Sequence, residues 1–254
     1  MFKSIDWKKN IAATWRAHQQ QLRAVEDVDL MEMKYLLGIE RQKHAFQKNI
    51  ENFIQSKPNN HVLLWGARGT GKSSLVKAAL NEYNNQGLRV IEIPKDELRW
   101  LIDITDEIRK LDYRFLIFCD DLSFEEGETS FKELKSTLQG SIEKPPENVL
   151  VVATSNRRHL IPEQMKDNEQ THLVNGEIHH ADTVEEKMSL SDRFGLSLSF
   201  YPLSQNEYFA IIDMLFEKRD VGVNKEELHI LADRFARERG SRSGRIAQQF
   251  FNSQ

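Results

Sequence analysis

The chain carries the stretch Gly66-Ala67-Arg68-Gly69-Thr70-Gly71-Lys72-Ser73, which follows the pattern G-x-x-x-x-G-K-S. An apolar run at His61–Trp65 precedes it and predicts a buried strand, and a run of helix formers at Ser74–Leu80 follows it. Strand, glycine loop and helix are the context that separates a phosphate-binding loop from a chance match. The sequence therefore predicts an α/β fold that holds a polyphosphate here. A glycine-rich turn that binds nothing is the alternative interpretation.

The chemistry expected of this loop follows from its residue types. Glycines allow backbone conformations that other residues avoid, so successive N–H groups can point at phosphate oxygens, and the following helix presents its positive end. Lys72 is expected to reach the β- and γ-phosphates, and the Ser73 hydroxyl is expected to bind Mg²⁺. The predicted nucleotide contacts are Gly66, Ala67, Arg68, Gly69, Thr70, Gly71, Lys72, Ser73 and Ser74.

Composition limits the class of protein. The 254 residues suit one nucleotide-binding domain and a small second domain. A net charge of −4 argues mildly against a dedicated nucleic-acid binder. The single cysteine, Cys119, excludes an internal disulfide and fits a reducing compartment. No apolar run approaches the roughly 20 residues of a membrane span, and the N-terminus lacks the apolar core of a signal peptide. We expect a cytoplasmic protein with no membrane segment.

The N-terminal region is predicted to be helical over residues 5–25. Apolar residues and one histidine recur there at spacings of three and four, which places them on one helical face: Trp7, Ile11, Trp15, His18, Leu22 and Val25. This face either packs on its own domain or grips a protein partner, since Trp side chains make strong interface anchors. A second helix is predicted from Leu36 through Ile54, with a turn at Gly38 and with Leu37 and Ile39 lining a purine pocket.

Acidic and amide side chains follow two predicted strands downstream of the loop. The apolar run 114–119 ends in Asp120-Asp121, and the run Val149–Asn156 ends in Asn156. Asp120 is expected to hold Mg²⁺ through water, and Asp121 is expected to orient or deprotonate the attacking water. Asn156 is expected to hydrogen-bond that water or the γ-phosphate. Solvated acids that cap a strand and an Asn that forms a turn are the alternative interpretations.

The remainder of the chain changes character after residue 160. Residues 161–188 read as a polar insertion whose His172, His179 and His180 match no closed zinc pattern, so a metal site there is conceivable but weakly indicated. Residues 196–200 predict a fifth strand. Helix caps at Ser204 and Asn224, and a third helix opening at Gly240–Arg245, predict a helical domain from about Leu203 onward.

This constellation resembles the AAA+ ATPases, and most closely their uncharacterised bacterial domain-of-unknown-function 815 group. Gly66–Ser73 matches Walker A, Phe115–Asp121 matches Walker B, and Asn156 matches sensor 1. Arg193, in Leu-Ser-Asp-Arg-Phe-Gly, is similar to the arginine finger, and Arg245 is similar to the sensor 2 arginine, with Arg242 as second candidate. The resemblance implies a five-stranded parallel sheet flanked by helices and a C-terminal helical lid. The predicted domains are an N-terminal helical extension (1–35), the nucleotide-binding α/β domain (36–202) and the lid (203–254).

The resemblance also implies ATP and Mg²⁺ as ligands, hydrolysis to ADP and phosphate, and a homo-oligomer in which Arg193 acts on the nucleotide of a neighbouring subunit. Walker B here ends in Asp120-Asp121 instead of the usual Asp-Glu, so slow turnover is expected. That departure keeps open a nucleotide-gated binding module with little turnover. A small-molecule kinase and a DNA-associated loader-type ATPase are further alternatives; the last rests on Arg157-Arg158 and on a run of arginines, namely Arg234, Arg237, Arg239, Arg242 and Arg245.

Overall fold

The computed structural model describes residues 5–123, 134, 138, 145–157, 160, 191–217, 222 and 224–254. In this part of the chain the strands are β1 Ala12–Arg16, β2 Gln21–Ala24, β3 Val62–Gly66, β4 Leu88–Glu92, β5 Arg114–Cys119, β6 Val149–Ser155 and β7 Leu196–Phe200. The α-helices are α1 Glu40–Ile54, α2 Lys72–Tyr83, α3 Leu101–Ile108, α4 Gln205–Phe216, α5 Lys225–Glu238 and α6 Gly244–Ser253.

The strands form one sheet in the order β2-β1-β4-β5-β6-β3-β7. Every neighbouring pair is parallel except β1 and β2. The five predicted parallel strands are all present, from β4 to β7 in that order, and the sheet has two more strands than the sequence predicted. Because β6 lies between β5 and β3, the carboxyl ends of these three strands meet at one edge, where ligands bind in parallel sheets.

The two additional strands correct the prediction of a helix over residues 5–25, which is wrong. β1 pairs with the edge of β4, and β2 folds back on β1 after Gln20 adopts a left-handed φ of 45°. Within the apolar pattern, Trp15 and Leu22 lie seven residues apart, which suits one helical face, but they are paired neighbours across the β1–β2 hairpin instead. The edge of β4 favours the strand, because only a strand can pair with the backbone N–H and C=O groups along that edge.

The two Trp residues of this region are buried in the protein's own core. Trp7 is 6% exposed and Trp15 is 1% exposed, and the Trp15 ring lies 5.6 Å from that of Trp100. The buried guanidinium of Arg89 donates to the Trp7 carbonyl at 2.8 Å, which ties the segment to β4. The structure therefore supports packing on the chain's own domain, and neither Trp is exposed to grip a partner.

Apolar residues cover both faces of the sheet because successive strand residues point to opposite sides. Leu63, Ile117 and Val151 face α3 and the N-terminal segment, while Leu64, Leu116 and Val152 face α1 and α2. A third apolar cluster joins α4, α5 and α6. The predicted caps of this helical region are present: Ser204 and Glu207 form a reciprocal capping box, and the Asn224 side chain accepts the Glu227 N–H.

Two shorter stretches complete the described helices. A 3-10 helix at Lys95–Trp100 leads directly into the short α3. Leu134, described by itself within residues 124–144 apart from Leu138, is helical and buried. Among the residues that the structure describes, no helix has the length and apolar character needed to cross a membrane.

His61 precedes β3 and couples the stability of this sheet to pH. Its Nδ1 accepts the Val151 N–H at 3.1 Å, and burial lowers its pKa to about 4 from an ordinary value of 6.5. The folded chain therefore keeps His61 neutral where the unfolded chain binds a proton, so stability is lost as pH falls from about 6.5 towards 4, by up to about 3 kcal/mol.

We expect His61→Asn, which keeps an acceptor, to remove much of this pH dependence. Between pH 7 and pH 5 the wild type should lose about 2 kcal/mol more unfolding free energy than the variant in urea titrations. His44→Asn, at an exposed position of α1, is the control and should behave as wild type. Equal losses in wild type and His61→Asn would contradict the assignment.

Candidate nucleotide-binding site

The glycine loop joins β3 to α2 and is held against the end of β7. Gly66 has φ of 131°, and a Cβ there would lie 2.0 Å from the Phe200 carbonyl oxygen. The next residue, Ala67, donates its N–H to that same oxygen at 2.9 Å. Only glycine allows this approach, so the first glycine of the motif fixes the loop to the sheet.

Lys72 lies at the start of α2 with its ammonium turned back into the loop. It is 7% exposed, and its Nζ donates to the carbonyls of Gly66 and Ala67, each at 2.8 Å, and to Asn156 Oδ1 at 3.4 Å. Burial lowers the pKa of this lysine, and the Arg245 and Arg68 charges add to that effect, while Asp120 and Asp121 oppose it. Any further negative charge placed beside Lys72 would favour the ammonium form.

The predicted metal ligands are in direct contact. Ser73 Oγ, on the first turn of α2, donates to Asp120 Oδ1 at 2.7 Å. Asp120 follows the last residue of β5, so the contact joins the glycine loop to the neighbouring strand end. A hydroxyl and a carboxylate are hard oxygen donors, which is the ligand type that Mg²⁺ takes.

Asp121 and Asn156 are also brought together. Asn156 Nδ2 donates to Asp121 Oδ1, while Asn156 Oδ1 accepts from the Lys72 ammonium. Asp121 has a left-handed φ of 52°, a conformation that L residues rarely adopt outside turns and functional sites. Because β6 is the strand between β5 and β3, its terminal Asn can contact the acid on one side and the lysine on the other.

Thr154 is a residue of this site that sequence reasoning missed. It is 2% exposed near the end of β6; its Oγ1 donates to Asp120 Oδ1 at 2.5 Å and accepts the Asp121 N–H at 2.9 Å. The alternation of side chains along a strand could have found it: residues two apart lie on the same face, so Thr154 shares the face of Asn156.

These residues open into one cavity of about 990 Å³, which is large enough for a nucleotide. Ser73, Asp120 and Asn156 line its polar part, and Leu37 and Ile39 line an apolar part. Gly38 has φ of 78°, as the predicted turn requires. Apolar residues outside the predicted set complete the wall, from the N-terminal segment and from the C-terminal helices: Met31, Tyr35, Leu36, Leu203, Ile211, Met214 and Leu215.

The C-terminal helices meet the glycine loop at Gly69. A Cβ on Gly69 would lie 2.8 Å from Ser243 Oγ and 3.1 Å from Arg245 Cβ, so a side chain there would press on the first turn of α6. Arg245 lines the cavity from this turn. Arg242 instead donates from Nε and Nη2 to Asp233 Oδ1, at 2.9 and 2.7 Å. Arg245, rather than Arg242, is therefore the arginine at the cavity wall.

Arg193 lies away from this cavity. It is exposed in the turn before β7 and does not line the wall. The predicted histidines of the polar insertion, His172, His179 and His180, lie outside the described residues. Among the residues that the structure does describe, no group of three or more His, Cys, Asp or Glu side chains could hold a metal ion.

Comparisons with known proteins agree with this fold. A family model described as "Protein of unknown function (DUF815)" matches residues 8–254. The RuvB Holliday junction branch migration motor of Thermotoga maritima superposes with a TM-score of 0.58 at 16% identity, covering 87% of this chain and 63% of that one. A single-residue mutant of that protein gives a TM-score of 0.60 at 17% identity, with the same two coverages.

One curated relative is similar in sequence over a short segment. The replication factor C large subunit of Staphylothermus marinus is 40% identical over 63 residues, which are 24% of this chain and 14% of the relative. The chain thus spans 63% of the RuvB chain that it matches and a small part of the replication factor. The likeness to RuvB shows that the two chains share a fold.

Proposed function

The chain belongs to the DUF815 family, and we propose that it is an AAA+ ATPase that binds ATP with Mg²⁺ and hydrolyses the ATP to ADP and phosphate. One observation carries the proposal. Lys72, Asn156 and Asp121 form a continuous hydrogen-bonded chain at the polar part of the cavity, beside the Ser73–Asp120 pair. Three segments far apart in sequence thus converge with the chemistry that phosphoryl transfer needs.

The residues present fit a magnesium ion. Ser73 Oγ and the Asp120 carboxylate are 2.7 Å apart at the start of α2, so Ser73 can bind an ion directly and Asp120 can hold the same ion through water. When bound, the ion neutralises charge on the β- and γ-phosphate oxygens. The N–H groups of the glycine loop and the positive end of α2 act on the same charge.

Asp121 and Asn156 are proposed to place the attacking water. The water oxygen bonds to the γ-phosphorus as the bond to the bridging oxygen of ADP breaks, and Asp121 accepts the water proton. Aspartate is one methylene shorter than the glutamate usual at this position. The Asn156 amide, which contacts Asp121 Oδ1, fixes the direction of that shorter side chain.

Two arginines are proposed to complete the reaction. Arg245, on the first turn of α6, would bind the γ-phosphate and move the helical lid when that phosphate leaves. Arg193 would act on the nucleotide of a neighbouring copy, since it is exposed and outside its own cavity. The proposed assembly is therefore a homo-oligomer, and an isolated subunit should turn over slowly.

A nucleotide-gated binding module is the second candidate function. Asp121 supports it, because a shorter acid whose Oδ1 already contacts Asn156 is less suited to proton transfer than a glutamate. In that case the cavity binds ATP, the lid changes position and a partner is recruited with little turnover.

A DNA-associated role has weaker support. The matched RuvB protein is described as a Holliday junction branch migration motor, and the other relative as a replication factor. In this chain, however, Arg237 and Arg242 both pair with Asp233, and Arg239 lies over the Phe235 ring. Much of the arginine run therefore has contacts within the protein, and the net charge is −4.

Replacing Asp121 by Asn separates the two main candidates. We expect Asp121→Asn to retain ATP affinity and to release phosphate about 10²–10⁴ times more slowly than wild type, because a positioned acid–base group typically contributes this factor. Asp112→Asn, at an exposed position before β5, is the control and should keep the wild-type rate. Equal and negligible rates in wild type and Asp121→Asn, with ATP bound by both, would support the binding module and reject the ATPase.

A further inference from the structure

Thr154 contacts both acids of the site through a single atom. Its Oγ1 lies 2.5 Å from Asp120 Oδ1 and 2.9 Å from the Asp121 backbone nitrogen. An amide N–H can only donate, so Oγ1 accepts from Asp121, and the hydroxyl proton goes to Asp120. The Thr154 carbonyl accepts the Leu122 N–H at 2.6 Å as well, so this residue holds the whole turn from Asp120 to Leu122.

The contact to Asp121 explains the unusual backbone of that residue. Asp121 has φ of 52°, which is unfavourable for an L residue and persists only where the surroundings hold it. The bond from its N–H to Thr154 is such a restraint, and it turns the Asp121 carboxylate towards Asn156. Without the hydroxyl this hydrogen bond is lost, and the turn is held less strongly in this conformation.

The contact to Asp120 differs from that of Ser73. Both hydroxyls donate to Oδ1 and both residues line the cavity, but Thr154 is 2% exposed within β6, whereas Ser73 stands on the first turn of α2. Ser73 can turn from Asp120 to a bound metal ion. Thr154 keeps its hold, because its backbone is paired with β3 in the sheet.

We infer that Thr154 is a positioning residue that orients Asp120 for the metal ion and Asp121 for the attacking water. The inference rests on the proposed function, since it assigns a role within the same site. Buried groups that orient metal ligands and catalytic acids typically contribute 10–100-fold to metal affinity or activity.

The test compares Thr154→Val, which keeps the shape and removes the hydroxyl, with Thr154→Ser, which keeps the hydroxyl. Full-length proteins are titrated with ATP by calorimetry, with Mg²⁺ and with EDTA, and phosphate release is measured. For Thr154→Val we expect kcat and the Mg²⁺-dependent part of the affinity to fall about 10–100-fold, with affinity in EDTA unchanged. Thr154→Ser should recover most of both.

A matched control is available in α3. Thr105 is 6% exposed, and its Oγ1 has no hydrogen-bond partner among the residues that the structure describes, so Thr105→Val makes the same chemical change without removing a described contact. It should leave binding and turnover unchanged. Thermal unfolding of every variant checks that the proteins are folded.

The outcomes separate this inference from the proposed function. If wild type binds Mg·ATP without turnover, the ATPase proposal fails and the Mg²⁺-dependent affinity still tests Thr154. If Thr154→Val lowers only the melting temperature, with kcat and Mg²⁺ dependence intact, Thr154 is purely structural and the inference is overturned. It is also overturned if Thr154→Ser behaves as Thr154→Val does, or if wild type binds no nucleotide.

Discussion

Arg193→Ala is expected to reduce ATP turnover by about 10³–10⁵-fold while leaving ATP affinity unchanged, because an arginine supplied across a subunit interface contributes this much to phosphoryl transfer. The residue is exposed and outside its own cavity, so its loss should not disturb binding. Phosphate release and calorimetry on the same samples measure the two quantities. Arg16→Ala, at an exposed position of β1, is the control.

The turn that contains Arg193 is fixed by close packing of its neighbouring residues. The next residue, Phe194, is buried, and a Cβ on Gly195 would lie 2.3 Å from Asn60 Oδ1, so the turn packs closely on Asn60. The backbone of Asn60 is in turn bound on both sides by the buried Asn49, at 2.8 and 3.0 Å. A turn fixed in this way can carry an arginine to a defined place on a neighbouring copy.

A mixing experiment distinguishes action in trans from action within one subunit. Arg193→Ala supplies intact acids, and Asp121→Asn supplies an intact Arg193, so a mixture of the two contains some complete sites. We expect the mixture to turn over ATP measurably faster than either variant alone, because each variant alone is expected to be at least about a hundredfold slower than wild type. A mixture as inactive as its components would contradict action in trans, and full activity of Arg193→Ala would contradict any catalytic role.

Lys72→Met should weaken ATP binding by more than a hundredfold, about 3 kcal/mol. Methionine has a side chain of similar length but lacks the desolvated positive charge that Lys72 brings to the proposed phosphate site. Turnover should fall with it. The Lys72 ammonium also donates to the carbonyls of Gly66 and Ala67. The Lys72→Met variant without nucleotide is therefore expected to be less stable than wild type.

The controls for this variant separate binding from folding. Lys48→Met removes a lysine from an exposed position of α1 and should change neither affinity nor stability. Circular dichroism and thermal unfolding of Lys72→Met show whether a folded protein is being titrated. Wild-type affinity in folded Lys72→Met would mean that the nucleotide does not use the glycine loop.

Much of the fold could be predicted because its signals are local. The glycine loop, the apolar runs before it and before Asp120, and the cap at Ser204 each specify a turn or an element within a few residues. The N-terminal strands could not be predicted in this way. Trp15 and Leu22 are spaced as on one helical face yet pair across a hairpin, and the edge of β4 that β1 joins comes more than 70 residues later in the chain.

The site shows the same limit. Lys72, Ser73, Asp120 and Asn156 stand next to elements that the sequence marks clearly, and the structure brings them together. No sequence signal distinguishes Thr154, because threonine is β-branched and such residues are common inside strands. The choice between Arg242 and Arg245 depends on Asp233, whose position on α5 is a tertiary fact that spacing does not reveal.

The measurement that tests the central claim most directly is calorimetric titration of the folded full-length chain with ATP in the presence of Mg²⁺. We predict saturable binding of one nucleotide per chain, weaker in EDTA and lost in Lys72→Met. A folded wild-type protein that shows neither binding heat nor thermal stabilisation up to about 1 mM ATP, the upper end of ordinary enzyme KM values, would contradict the account.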